Sequence, residues 1–331
     1  KRLGKALVLR YNEGKLRGDG CACAERVLHE GQVSRRFLLV VPRKTLLGVS
    51  IMAFSFTKWQ GCGNDFVLVN GFSERLDEED LAALAQKICD RHYGIGADGL
   101  ILVLPSKAAD FRMRILNADG SEAEMCGNGI RCFAGVVHDE GLSDKEEFTV
   151  ETGAGILVPR LQLADGKLQG VRVDMGEPTL AGARLPVLGF GAAHVVEQPI
   201  EAGGEKLSMT CVSMGNPHCV IFVEDAEAVP IEKLGPLLER HEAFPKKTNV
   251  EFAAVLDASH IRMRVWERGA AVTLACGTGS CATLVAAALT GRTERAAEVQ
   301  LDGGRLQIEW AANNHVYMTG PAEKVFAGRY E

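Results

Sequence analysis

Met125-Cys126-Gly127-Asn128-Gly129 and Ala275-Cys276-Gly277-Thr278-Gly279 are two copies of one unit, a cysteine set directly before a Gly-x-Gly turn. Each turn opens an apolar run of helical period: Ile130, Phe133, Ala134 and Val137 after Cys126, and Cys281, Leu284, Val285 and Ala288 after Cys276. Each thiol is therefore expected at a helix N-terminus, where free amides and the positive end of the dipole favour an anion. A thiol placed so can fall from about 8.5 into the range of roughly 3.5 to 7.5. One such unit alone reads as a small buried residue before a tight turn. Two copies, with the thiol in the same place, point to shared chemistry.

Outward from the cysteines the repeat continues. Gly63-Asn64-Asp65 precedes a strand at 66–69, and Gly215-Asn216-Pro217 precedes one at 218–223. Asn64 lies 62 residues before Cys126 and Asn216 lies 60 before Cys276. In the first half, strands are expected at 54–59, 100–104, 111–116, 148–151, 156–163 and 168–175, with a helix at 80–92 that puts Leu81, Leu84, Ala85 and Ile88 on one face. In the second, they are expected at 206–213, 250–255, 261–266, 271–274, 305–310 and 315–319, with a helix near 231–241. This is an α+β chain of two similar units joined near Gly176 to Pro178. Such a chain can bring both helix starts to a common cleft.

A length of 331 residues is comfortable for two domains. The net charge of −6 gives no general reason to expect nucleic acid as a partner, and no run approaches the eighteen or so apolar residues of a membrane span. The cysteines at 21, 23, 62, 89, 126, 132, 211, 219, 276 and 281 contain no CxxC pair and no partner histidines, so no metal site is expected. A chain this well supplied with core residues does not call for a disulfide framework; reduced thiols and a cytoplasmic location are expected.

Residues 1–51 differ from the rest. They hold eleven Lys or Arg against four Asp or Glu, a balance of +7, which leaves −13 of the total −6 for residues 52–331. Met52 stands directly before the strand-like start at Phe54. A targeting leader, an upstream extension from a misplaced start and a small structured appendage compete. A transit peptide should be rich in Ser and poor in acids, and this segment has only Ser34 and Ser50 beside Glu13, Asp19, Glu25 and Glu30. If it is nonetheless a transit peptide, the location is the plastid stroma. Cys21 and Cys23 are treated as incidental.

A single activated cysteine suggests a nucleophile with a base beside it. Two cysteines supplied symmetrically suggest different chemistry, in which one takes a proton from carbon and the other returns one to the opposite face, inverting a stereocentre. Removing a proton α to a carboxylate puts charge on its oxygens, and two helix starts aim amides at that charge. No cofactor is needed; Gly94-Ile95-Gly96 is too short for a dinucleotide fingerprint and no P-loop is present. The rest of the substrate needs polar groups. Asn64, Asn117, Asn128, Asn216, Asn249, Glu267 and Arg268 all stand in turns or at strand ends. For any one asparagine a turn cap is the plainer explanation, whereas an arginine can grip a carboxylate with two bonds. A solvated surface charge is an equal reading for Arg268, and a satisfied structural side chain is the default for His218.

Together the motifs resemble the diaminopimelate epimerases over nearly everything from Phe54 onward. They are Gly61-Cys62-Gly63-Asn64-Asp65-Phe66, Gly94-Ile95-Gly96-Ala97-Asp98-Gly99, Asn117-Ala118-Asp119-Gly120-Ser121, Met214-Gly215-Asn216-Pro217-His218, Thr248-Asn249-Val250-Glu251 and Trp266-Glu267-Arg268-Gly269, besides the two cysteine units. The resemblance implies interconversion of LL- and meso-2,6-diaminopimelate without PLP or metal, in lysine and often peptidoglycan precursor synthesis. It implies two pseudo-symmetric domains, each a curved, mostly antiparallel sheet around a central helix, with the site between them. The domains would be 52–175, with 320–331 returning to it, and 176–319, leaving 1–51 outside. By likeness Cys126 and Cys276 are the acid/base pair, and the amides of Gly127, Asn128, Gly277 and Thr278 bind the reacting carboxylate. Asn64, Asn117, Asn216, Asn249, Glu267 and Arg268 would contact substrate, while His218 and Glu267 assist the thiols. Some members carry Gln where this chain has Gly99, which leaves one contact near the reacting end unassigned. Homodimers are also implied. Two alternatives stand beside this reading: a proline or hydroxyproline racemase, and a dithiol redox sensor.

Overall fold

The computed structural model describes residues 23–29, 32–38, 53–77 and 80–331, in two units, 1–52 and 53–331. In the first unit β1 (Cys23–His29) and β2 (Gln32–Leu38) pair as an antiparallel ribbon, with His29 opposite Gln32. The rest of the basic N-terminal segment, Cys21 included, lies outside the described residues.

The second unit opens with β3 (Phe54–Gly61) and β4 (Asn64–Asn70). Their two-residue turn has Cys62 at φ 54° and Gly63 at φ 82°, the left-handed pair whose twist matches a hairpin. That turn sets Asn64 at the head of β4. Then come α1 (Leu81–Cys89), β5 (Gly99–Leu104), β6 (Phe111–Asn117), the short β7 (Glu122–Ala123), α2 (Gly127–Asp139), β8 (Val150–Thr152) and β9 (Gly155–Leu157). These strands form one sheet in the order β3-β4-β5-β6-β8-β9, with β7 beside β6.

The chain continues through β10 (Arg160–Ala164), β11 (Lys167–Asp174), β12 (Gln198–Ala202), β13 (Glu205–Ser213), β14 (Pro217–Phe222), α3 (Ile231–Glu239), β15 (Asn249–Asp257) and β16 (His260–Glu267). It ends with β17 (Ala271–Thr273), α4 (Gly277–Leu289), β18 (Ala296–Gln300), β19 (Arg305–Trp310), β20 (Val316–Gly320) and β21 (Glu323–Tyr330). The second sheet runs β10-β11-β20-β19-β18-β16-β15-β14-β13-β12, with β17 beside β16. β21 instead pairs antiparallel with β3, placing Tyr330 opposite Phe54. The two sheets repeat one pattern: β4 with β5 and β6 with β8 are parallel in the first, β14 with β15 and β16 with β18 in the second. The other ladders of both are antiparallel, so the fold is α+β with two similar sheets.

Each sheet closes on one helix. Ile130, Phe133, Ala134 and Val137 of α2 are fully buried among Trp59, Leu68, Ile101 and Met113. Sealing away a side chain such as Phe133 stabilises by about 1.5–3 kcal/mol. α4 is buried on nearly every side, with Leu284 and Val285 among Val220, Ala253, Met263 and Leu306. A helix apolar all round must be enclosed, and here the second sheet encloses it. No helix among the described residues is long and apolar enough to cross a membrane.

Several expected boundaries move. The strand expected at 156–163 is two strands in different sheets, because Pro159 has no N–H to offer a ladder. β10 and β11, which precede the boundary expected at 176, hydrogen-bond into the second sheet through β20, yet Leu161, Val171 and Val173 pack in the core around α2. α1 stops at Cys89 rather than continuing to His92. Its last carbonyls, on Ile88 and Cys89, accept the amides of Ile95, Gly96 and Ala97, and Asp90 Oδ1 takes those of His92 and Tyr93. A Cβ on Gly94 would sit 2.3 Å from Lys87 O, so Gly94-Ile95-Gly96 is the turn that ends this helix. α3 is likewise shorter than its expected span. The sequence gives no expectation for β7, β12 and β18; β7 and β12 are edge strands, and β18 is a five-residue strand between β19 and β16.

Candidate active site

Cys126 and Cys276 are the N-cap residues of α2 and α4, each in extended backbone before a helix of 13 residues. Both line one cleft of about 510 Å³. Asn64, Asn117, Gly127 and Asn128 line its first side, and Asn216, Glu267, Gly277 and Thr278 its second. The two helix starts nearly meet: a Cβ built on Gly277 would lie 3.9 Å from Asn128 Oδ1. Met318 fills the space between them, 2.9 Å from such a Cβ on Gly127 and 3.0 Å from one on Gly277.

On the first side, the Asn64 amide is oriented by Asp98, whose Oδ2 accepts from Asn64 Nδ2 at 2.6 Å. Its Oδ1 therefore faces the cleft, 3.6 Å from Cys126 Sγ, and accepts from Asn128 Nδ2 at 3.1 Å. Arg131, fully buried one turn into α2, donates to Asn128 Oδ1 (2.8 Å), Gly127 O (3.0 Å) and Pro321 O (3.1 Å). Asn117 donates to Ser121 Oγ at 2.9 Å at the end of β6.

On the second side, Thr278 Oγ1 lies 3.6 Å from Cys276 Sγ and accepts from Asn216 Nδ2 at 3.2 Å. Asn216 Oδ1 is 3.0 Å from His218 Nε2, and His218 Nδ1 is 2.6 Å from Glu251 Oε1. His218 and Glu251 are both buried behind the cleft. Glu267, at the end of β16, accepts from the Thr273 hydroxyl.

A place at a helix start predicts thiols easier to ionise than usual, and their surroundings act the other way. Burial pushes Cys126 up, with a smaller push from the Glu267 carboxylate, against the lowering effect of the Gly129 and Asn128 amides and Arg131. Cys276 is pushed well up by burial and by the Glu267 and Glu251 carboxylates, with the Thr278 hydroxyl and Gly279 amide opposing. At both thiols desolvation outweighs the first-turn amides.

Three of the expected substrate or support residues do not line the cleft. Asn249 is buried with its amide spent on backbone: Nδ2 donates to Pro217 O and Oδ1 accepts from Arg268 N, both at 2.9 Å. The exposed Arg268 guanidinium donates to Lys246 O at 3.2 Å. His218 stands behind Asn216. Among the described residues no cluster of three or more His, Cys, Asp or Glu is arranged to hold a metal, and the eight cysteines from Cys62 to Cys281 carry free thiols.

The diaminopimelate epimerase family model matches residues 56–181 and 210–325. A diaminopimelate epimerase of Moorella thermoacetica is 58% identical over 276 residues, covering 83% of this chain and 98% of the relative. The chain belongs to the diaminopimelate epimerase family. Diaminopimelate epimerase 1 of Nostoc is 51% identical over 283 residues, covering 84% of this chain and all of that relative. As a member of the family the chain is an amino-acid epimerase, an isomerase. More distant solved structures share the fold. A Bacillus anthracis phenazine biosynthesis protein of the PhzF family superposes with a TM-score of 0.61 at 19% identity, covering 84% of this chain and 98% of that one. A hydroxyproline epimerase of Agrobacterium vitis reaches 0.58 at 16%, covering 84% and 91%.

In this diaminopimelate epimerase family member four groups at the site, Asp98, Arg131, Glu251 and Met318, are not singled out by the sequence. Glu251 carries a signal, being a carboxylate within the otherwise apolar run from Val250 to Val255. Arg131 carries a weaker one, as a charge among the apolar positions of a central helix.

Proposed function

We propose that this chain interconverts LL- and meso-2,6-diaminopimelate by passing a proton between Cys126, the α-carbon and Cys276. The observation that carries this is the pair of N-cap thiols, one from each similar half, lining one cleft. One cysteine, as thiolate, takes the α-proton from one face. The C–H electron pair spreads onto the carboxylate oxygens, toward the first-turn amides of Gly127, Asn128, Gly277 and Thr278, which have no acceptor within their own helices. The other cysteine, as thiol, delivers its proton to the opposite face. One C–H bond breaks, one forms, nothing is oxidised, and the two cysteines exchange protonation states. The scheme needs no cofactor.

In this reading Asn64, Asn117, Asn216 and Glu267 hold the remaining polar groups of the substrate, and His218 and Glu267 assist the thiols. Arg268, exposed beside Glu267, takes the distal carboxylate, with Asn249 holding its backbone. The lobes are 52–175 with 320–331, and 176–319; the antiparallel pairing of β21 with β3 supports that return. Relatives that are 51–58% identical carry the diaminopimelate name, whereas the hydroxyproline enzyme shares the fold alone, which favours the longer substrate. A place in lysine and peptidoglycan precursor synthesis, a cytoplasmic location and a homodimer complete the proposal. The exposed Val325 and Phe326 on edge strand β21 support the dimer, which light scattering of the purified chain tests.

The activity test is solvent exchange. LL-diaminopimelate in deuterated buffer with a reductant is expected to gain α-deuterium and yield the meso isomer; fresh, reduced protein that incorporates none would sink the reading.

A further inference from the structure

We propose that Glu251 is a positioning residue for the second cysteine, acting through His218 and Asn216 to turn the Thr278 hydroxyl toward Cys276 Sγ. This rests on the two-thiol reading above and adds to it a group behind the site.

Asn216 Nδ2 donates to Thr278 Oγ1 at 3.2 Å, which leaves the hydroxyl hydrogen free for Cys276 Sγ, 3.6 Å away. That orientation of the amide turns Asn216 Oδ1 to His218, so His218 Nε2 is the donor across 3.0 Å. The other ring nitrogen is anchored by Glu251 Oε1 at 2.6 Å. Reverse the amide, and the Thr278 hydroxyl is spent on Asn216 Oδ1, leaving only a lone pair for the sulfur.

Glu251 is fully buried, and its Oε2 has no hydrogen-bond partner among the described residues. A buried carboxylate satisfied at one oxygen is a costly way to stabilise a sheet. The fold does not require it either. By register, Phe66 faces Gly99 as His218 faces Asn249, and Leu68 faces Ile101 as Val220 faces Glu251. The first half thus builds the same frame with Phe66 and Ile101 in place of His218 and Glu251.

The titratable groups facing Glu251 are His218 and Cys219 from β14, Glu267 from β16 and Cys276 from the start of α4. At Cys276 burial and the two carboxylates oppose ionisation, and the Thr278 hydroxyl and Gly279 amide offset them. Cys276 must be a thiolate at one end of the reaction, so the direction of that hydroxyl matters.

Two readouts on the full chain test this: the pH dependence of Cys276 alkylation by iodoacetamide, read by mass spectrometry with Cys126 as internal reference, and kcat and KM for LL-diaminopimelate. Glu251→Gln is expected to move Cys276 alkylation to higher pH and lower kcat about 10- to 100-fold, the equivalent of one hydrogen bond to a charged group. KM is expected to stay within about threefold, as for an interaction made mainly in the transition state. Thr278→Val should behave alike, Thr278→Ser should restore the wild-type profile, and the double variant Glu251→Gln with Thr278→Val should be no slower than Thr278→Val alone. If Glu251→Gln does not fold, Glu251→Asp carries the same measurements, with an effect in the same direction. A shift of Cys276 alkylation to lower pH, which removal of a neighbouring negative charge alone would cause, overturns the proposal. So do additive losses in the double variant. Because alkylation needs no substrate, it judges the relay even if the deuterium experiment refutes the epimerase reading.

Discussion

The two halves of the site share a backbone and differ in what lies behind it. A Cβ on Gly129 would meet Ile101 and Ile115 side chains at 3.1 and 3.2 Å, whereas one on the matching Gly279 would meet Glu251 Oε1 at 2.8 Å. Five residues beyond each cysteine, the first helix buries Arg131 and the second buries Cys281. The Glu267 carboxylate raises both thiols, while Cys126 has the Arg131 cation near it and Cys276 a second carboxylate, Glu251. The duplicated frame brings two thiols to one cleft, and its buried ionisable groups make them chemically unequal.

Removing either thiol is the harshest way to break the comparison. Cys126→Ala and Cys276→Ala are each expected to slow conversion of LL- to meso-diaminopimelate by at least about 10²–10⁴-fold, the usual contribution of a general acid or base. Full activity in either variant would show that its half is dispensable.

Copying one half into the other comes next. His218→Phe with Glu251→Ile gives the second half the residues of the first. The double variant is expected to fold with roughly unchanged stability in urea unfolding, because replacing both partners of a buried hydrogen bond by apolar groups is close to neutral. Its kcat should nevertheless fall. The reverse change, Ile101→Glu, puts a carboxylate into a wall with no histidine and should cost about 3–5 kcal/mol. Equal tolerance of both swaps would erase the distinction between the halves.

Smaller probes sharpen it. Gly279→Ala presses on Glu251 Oε1 and, at 3.3 Å, on Cys276 Sγ, so a cost of about 1–3 kcal/mol and a lower kcat are expected. Gly129→Ala should be nearly neutral in thermal melts, since roughly 0.8–1 kcal/mol of helix propensity offsets its contact with Ile101. Alkylation against pH then ranks the thiols. A raised pKa keeps the unreactive thiol form to higher pH, so both midpoints should lie above the ordinary value of about 8.5, with Cys276 above Cys126. A midpoint below that value would mean that the helix dipole outweighs burial after all.

Local sequence was enough for the parts of the fold with local causes. The Gly-x-Gly turns and the 3.6-residue apolar period determined both central helices and put a thiol at the start of each. The paired Gly-Asn turns marked the duplication. Pro159 was visible too, but its effect required knowing that two sheets compete for the strands on either side. β12 and β18 are five residues each and hold few large apolar residues, so their alternation is too short to be read without their ladder partners. Among the site residues, Asn64 and Asn216 were legible through their turns. Asn249 was recognisable only as polar, and its use as a backbone brace depends on Pro217 and Arg268, 32 and 19 residues away.

By itself the sequence determined the α+β class, the two cysteine units and the family, because helix starts, turns and apolar periods are written in neighbouring residues. Only the tertiary structure decided how easily each thiol ionises and which groups stand behind it. Desolvation and charge act through space, and Glu251 reaches Cys276 by way of His218, Asn216 and Thr278, residues that the chain keeps apart and the sheet brings together.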